Sequence, residues 1–273
     1  MKNKILEKPL LAKQRPLRHL TKANHKDSGR NNQGRLTVRH QGGGRKQLYR
    51  NIDWFRKNKN NIIVNFEYDP NRSAYLAKLA SIDNENNEGV KVRFSYILAV
   101  KGMKVFDKLQ TIDELKWNLL LRPGDASTLE NFESGDFLNS VESVPGQGAL
   151  FARAAGTYCQ VLQSTSIQNT IYIKLRLPSG HQRLFSPKSK ATLGAIANET
   201  HGQRNLKKAG RNRWLNKRPT VRGVAMNPID HPHGGGQGKT KGGRPSVTPQ
   251  SWPTKGQPTR SPRKKNSLIL VVR

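Results

Sequence analysis

The sequence predicts a mainly β protein with two small barrels in its middle and a long, extended basic arm at each end. Three observations carry this. Lys and Arg concentrate at the two ends. Strand-like segments recur at short intervals between them. Outside that middle region, Gly- and Pro-rich polar sequence replaces apolar periodicity.

The charge is the most informative of the three. Residues 1–60 hold 17 Lys/Arg against 3 Asp/Glu, and residues 201–273 hold 17 against 1. The 140 residues between them hold 15 against 14, out of a net charge of +31. A nearly neutral globule thus carries two cationic arms. Cations near phosphates release condensed counterions, so this layout fits a chain held within nucleic acid rather than a free enzyme.

Residues 1–60, the first arm, intersperse basic residues with Gly, Asn and Gln, as in the stretches at 29–35 and 40–46. Only residues 35–39 look strand-like. Such a segment is either a disordered tail or an arm ordered by RNA, where Gly lets backbone approach phosphate. Tyr49, Ile52, Trp54 and Phe55 follow and suggest docking onto the globule.

Residues 61–120 make the first barrel. Ile62, Val64, Phe66 and Tyr68 alternate with Asn61, Asn65 and Glu67, and a turn follows at 69–71. Residues 74–82 and 92–100 read as strands and 105–108 as a short one. Ile112, Leu115 and Leu119 have helical spacing over 111–121.

Residues 121–200 make the second barrel. After a break at 122–125, strands are expected at 140–144, 156–163, 170–177 and 183–185, with Ile171, Ile173, Leu175 and Leu177 alternating cleanly. Short strands with turns between them are the signature of small barrels. Cys159 is the only cysteine, which excludes an internal disulfide and a Cys-based zinc site and reads as an apolar strand residue.

Residues 201–273, the second arm, hold a short basic helix at 205–213, a Gly-rich stretch at 226–236 and prolines through Pro262. The apolar run at 268–272 is expected to dock. No stretch is long and apolar enough to span a membrane. The N-terminus is basic but Lys-rich and contains Glu7, a poor match to a mitochondrial presequence.

Asp230, His231, Pro232, His233 and Gly234–Gly236 invite other readings. A metal pair lacks further ligands, a phosphate loop lacks its motif, and a catalytic His has no nucleophile. Close backbone approach to RNA, with His stacking or hydrogen bonding, fits better. The Gly146–Gly156 stretch precedes a strand, unlike a dinucleotide fingerprint; a small-residue loop against RNA, with Arg153 on phosphate, suits it.

The segments at 29–46, 67–74, 96–99, 152–158, 175–180, 190–194, 208–214 and 218–236 together resemble the universal large-subunit ribosomal protein L-two family. The resemblance spans about residues 28–262. It implies an OB-type barrel followed by an SH3-like barrel, with both arms extended through rRNA. It further implies a structural, primary rRNA binder supporting subunit association, tRNA binding and an RNA-based peptidyl transferase centre. No enzymatic activity and no metal or cofactor is implied; a structural Mg2+ or K+ would belong to the rRNA. The partners would be large-subunit rRNA, other ribosomal proteins and the small subunit, with no membrane and no homo-oligomer. Arg45, His181 and Gln237 depart from the family pattern.

The residues assigned to RNA are Arg30, Arg35, Arg39, Arg45, Lys46, Arg72, Arg153, Lys208, Arg211, Arg213, Trp214, Arg218, Arg222, Asn227, His231, His233, Gly234, Gly235, Gly236, Lys239, Lys255 and Arg260. Asn is abundant, at 23 residues, which fits an AT-rich organellar genome. A mitochondrial member is expected, with a plastid or bacterial cytoplasmic one as the alternative. The rival functions are an RNA-acting enzyme using His231 or His233 and a DNA- or RNA-compacting basic protein outside the ribosome.

Overall fold

A computed structural model of the chain describes residues 15–83, 91–113, 120–167, 170–238, 243–256, 261 and 269–271. Strands dominate these residues, with little helix, and the mainly β class with an OB-type half and an SH3-like half holds. The chain divides into two compact units. The first comprises Met1–Asn24, Gln47–Asn205 and Ser267–Arg273. The second comprises His25–Lys46 and Leu206–Asn266.

The first unit opens with β1 (Thr21–Asn24) paired antiparallel to β2 (Gln47–Arg50). The OB-type half contains β3 (Asn60–Glu67), β4 (Leu76–Asp83), β5 (Lys91–Leu98) and β6 (Lys108–Ile112). They run antiparallel in the order β6-β3-β4-β5. The core of this half gathers Ile63, Phe66, Leu79, Ile97, Val100 and Leu109.

The SH3-like half contains β7 (Ala126–Thr128), β8 (Phe137–Asn139), β9 (Val141–Glu142), β10 (Ala149–Phe151), β11 (Cys159–Ile167), β12 (Thr170–Arg176), β13 (Gln182–Phe185), β14 (Lys190–Leu193) and β15 (Ile269–Val271). Parallel pairing of β6 with β7 joins the halves into one sheet. The second core holds Leu129, Leu138, Val141, Cys159, Ile173, Leu175 and Phe185. Ile173 and Leu175 are buried and Arg176, on the other face, is exposed, as alternation demands, but Ile171, on the same face as Ile173, is 58% exposed because it lies beyond the end of the core. Cys159 is fully buried, and burial raises its thiol pKa to about 12.

Several expected elements shift. The short strand expected at 105–108 begins at Lys108 instead, and Thr111 and Ile112, expected in a helix, belong to it. Most of that helix, 114–119, lies outside the described residues. In β3 the buried face is Asn61 and Ile63, not Ile62 and Val64; a bulge between Ile63 and Asn65 then restores Phe66 to the core. Residues 35–39 form no strand and contribute only the isolated Arg30–Leu36 bridge. The expected docking holds for Ile52 and Trp54 but not for Tyr49 and Phe55, which are exposed, and within 268–272 the described residues Ile269–Val271 dock as β15. Ile52 and Trp54 pack on Ala74, Leu76, Tyr96, Leu98 and Ile196, and β15 pairs with β13.

Candidate nucleic-acid interface

The second unit brings parts of the two basic ends together. Its sequence holds 21 Lys/Arg against two acids, Asp27 and Asp230. That excess of cations over carboxylates gives the unit a strongly positive balance that suits an external polyanion. Backbone pairing joins the two segments. Gln41 bridges antiparallel to Lys217. The amides of Arg218, Gly42 and Arg45 donate to His40 O (3.0 Å), Asn216 O (3.3 Å) and Trp214 O (3.2 Å). The Asn216 side-chain amide donates to Gln41 Oε1 at 3.2 Å.

Local chemistry explains why the chain turns there. Helix α1 (Ala209–Trp214) is short and basic. It stops because Asn216 adopts the left-handed conformation, φ +69, and the Lys217 amide reaches back to Asn212 O at 2.9 Å. The turn presents Arg213 and Arg218 beside Arg39 and His40, lining one open groove of the unit. Lys208 lies 5.2 Å over the ring of Trp214, which is 57% exposed.

Some of the glycines approach the chain's own backbone and side chains closely, whereas Gly34 and Gly146 have open space where a Cβ would lie. A Cβ at Gly44 would stand 2.9 Å from the Asn216 amide and 3.0 Å from Trp214 O. A Cβ at Gly235 would stand 2.8 Å from Pro228 Cγ. In the first unit, one at Gly148 would stand 3.2 Å from Trp54 Cβ. The small residues let the chain pack on itself, and the cations around them are what remain outside.

The histidine segment closes as a tight loop. Asn227 O accepts the amides of Asp230 (3.0 Å) and His231 (3.3 Å), and Met226 O accepts that of Gly235 (3.1 Å). His231 is buried, with its ring 2.6 Å from where a Gly223 Cβ would lie. Its Nδ1 accepts the His233 amide at 3.0 Å, which assigns the proton to Nε2. His233 Nε2 accepts the Val247 amide at 3.3 Å. Both rings therefore spend a lone pair on the backbone and act as struts.

Two assigned arginines stand in the first unit instead. Arg72 and Arg153 flank Trp54, with guanidinium carbons 5.8 Å and 4.9 Å from its ring centroid. Arg72 is fixed by Asp69 at 2.6 Å, and Arg153 donates to Ala149 O at 3.3 Å while staying exposed. Stacking pre-sets both forks for anions.

Arg30, Arg35, Arg39, Arg45, Lys46, Lys208, Arg213, Trp214, Arg218, Arg222, Asn227, Gly236 and Lys255 are exposed, and Arg211, His233, Gly234 and Gly235 half-buried. Lys239 and Arg260 lie outside the described residues. The sequence reading missed Trp54, Asn216 and Lys26, whose Nζ donates to Arg45 O at 3.0 Å. Only the run Gly42–Gly44 hinted at such contacts. Among the described residues no cluster of three His, Cys, Asp or Glu side chains is placed to hold a metal ion. No described helix is long and apolar enough to cross a membrane.

Two family profiles match the chain. "Ribosomal Proteins L2, RNA binding N-terminal domain" covers residues 17–111, and "Ribosomal Proteins L2, C-terminal domain" covers residues 122–251. The large ribosomal subunit protein uL2m of Reclinomonas americana is 47% identical over 267 residues, 97% of this chain and 91% of that protein. The uL2 of a Wolbachia strain from Drosophila simulans is 45% identical over 268 residues, covering 97% and 92%. That of Alcanivorax borkumensis is 44% identical over 263 residues, covering 95% and 90%. Matched along nearly its whole length, the chain belongs to the ribosomal protein L2 family of the large subunit.

Proposed function

We propose that this chain is a structural constituent of the large ribosomal subunit that binds rRNA directly through its second unit and through the Arg72–Trp54–Arg153 stack. The observation that carries this reading is the joining of both basic ends in one unit with 21 Lys/Arg against two acids. Such a unit gains most of its binding from phosphates, so affinity falls steeply with salt. Subunit association, tRNA binding and support of an RNA-based peptidyl transferase centre follow as the roles of a protein so placed, with other ribosomal proteins and the small subunit as neighbours. The chemistry stays with RNA. His231 and His233 each give a ring nitrogen to a backbone amide, which suits shaping a loop and not shuttling protons. No cofactor belongs to the protein, and Mg2+ or K+ nearby would serve the rRNA.

The compartment we infer is the mitochondrial ribosome. A mitochondrial protein is among the relatives of high identity, and the Asn content fits an organellar genome. Sedimentation of a native extract through a high-salt gradient tests the whole reading. Co-migration with the large subunit and its rRNA is expected. Migration as free protein or with DNA overturns it in favour of a nucleic-acid-compacting role.

A further inference from the structure

Phe106 carries a side chain that the fold does not use. It is 79% exposed, and its backbone sits at φ +71, a left-handed conformation in which bulky residues are outliers. The backbone is pinned there. Its amide donates to Ile63 O at 2.8 Å, and the Ile63 amide donates to Asp107 O at 3.0 Å. The Lys104 amide donates to Asp107 Oδ2 at 2.7 Å. The turn cannot relax to negative φ without losing its hold on β3.

Glycine occupies such a position without strain, so phenylalanine weakens the isolated fold in exchange for a displayed ring. Strain that the surroundings hold in place gathers at binding and switch sites. The flanks point to the ligand: Lys104 and Lys108 are exposed on either side, and Val105 adjoins the ring at 40% exposure. The nearest acid in sequence, Asp107, turns its carboxylate back onto the Lys104 amide.

We propose that Phe106 stacks on an unpaired RNA base, with Lys104 and Lys108 on the adjoining phosphates. This rests on the ribosomal reading above. Every base offers a π face, and unpaired nucleotides of loops and bulges are the ones free to stack. The flanking lysines argue against an apolar protein pocket, because lysine is depleted from protein–protein interface cores.

The test compares large subunits assembled with the full-length wild-type chain, Phe106→Gly and Phe106→Trp, reading the chemical reactivity of every rRNA base. One unpaired base is expected to become at least about fivefold more reactive with Phe106→Gly and to be shielded again with Phe106→Trp. The isolated Phe106→Gly chain is expected to melt about 2–4 °C higher than wild type, because the backbone strain is gone. A variant chain present in the subunit with unchanged reactivity at every base overturns the proposal, as does a lowered melting temperature. Failure of the wild-type chain to enter the subunit overturns both this and the ribosomal reading.

Discussion

The Tyr96 hydroxyl donates to Glu67 Oε2 at 2.8 Å and accepts the Leu17 amide at 2.9 Å. One buried tyrosine thus ties β3, β5 and the segment entering the first unit. Burial raises the Glu67 pKa, and the Tyr96 hydrogen bond, Lys78 and Arg50 oppose the rise only in part. The folded chain keeps the Glu67 proton at pH values where the unfolded chain, near about 4.3, has lost it. Between those values the folded state binds more protons, so this group's contribution to stability falls as pH rises. Glu67→Gln keeps an acceptor for Tyr96 without the buried charge. Its melting temperature is expected to match or exceed wild type at pH 7, with the gap closing toward pH 4. A gap that widens on acidification would contradict the burial argument.

Tyr96→Phe removes both bonds at once. It strands the Leu17 amide and the Glu67 carboxylate, a loss of about 1–3 kcal/mol for each buried group left without a partner. Urea unfolding of the isolated chain measures it. Because Ile52 and Trp54 also pack on the cluster of Tyr96 and Leu98, proteolytic cleavage before Asn60 is expected to accelerate in step.

Gly124 begins the SH3-like half at φ +101, where its carbonyl accepts Arg56 Nη2 at 3.0 Å. A Cβ there would run into the Met103 tip and stand 3.1 Å from Leu109 Cδ2. Left-handed strain and overpacking add, so Gly124→Ala is expected to destabilise by about 2–4 kcal/mol. Chemical denaturation reads this directly, and an unchanged midpoint would show that Met103 yields.

The strands with clean alternation were legible in sequence because their partners demand it. Ile173 and Leu175 face a core on every turn of the pleat. The face of β3 was misread because a bulge inserts one residue, and period-2 reasoning carries no marker for that. The strand β6 lacked a distinctive pattern: Lys108, Gln110 and Thr111 are polar, and β3 and β7 hold it from either side. The concentration of Lys and Arg at the two ends is evident from composition. Their assembly is not, because backbone bonds between His40–Arg45 and Trp214–Arg218 leave no side-chain period to read. Close approach is legible in the glycine runs, and at Gly44 and Gly235 the neighbour is the chain itself.

Ile173 is 6% exposed among Leu129, Leu138, Val141 and Leu175. Ile173→Asp places a carboxylate in that core with no partner, which costs several kcal/mol by any route it takes. Loss of the folded SH3-like half is expected in circular dichroism, where Ile171→Asp, at an exposed position on the same strand, serves as the control and leaves the spectrum unchanged.

Arg153 is the exposed member of its stack, so Arg153→Ala is expected to weaken rRNA binding and reduce the slope of log K against log salt by about 1. Arg153→Lys restores the charge and hence the slope. Filter binding across a salt series separates this from a folding defect, which would lower affinity without the lysine rescue.

Gly44 tests the inward reading of the glycines. Its φ is +83, and any Cβ would press on the Asn216 amide and Trp214 carbonyl, both backbone atoms that cannot swing aside. Gly44→Val must therefore open the pairing between Gln41 and Lys217 that brings Arg39 and Arg45 next to Arg213 and Arg218. No cation is lost, so weak nonspecific RNA binding and its salt dependence are expected to persist. What should fall is affinity for the structured rRNA site, because the cations no longer share one fixed surface and their ordering entropy is charged to binding. The melting transition of the first unit should stay in place. Equal loss of specific and nonspecific binding would mean that Gly44 meets RNA itself, and that the phosphate reading of the glycine run was right after all.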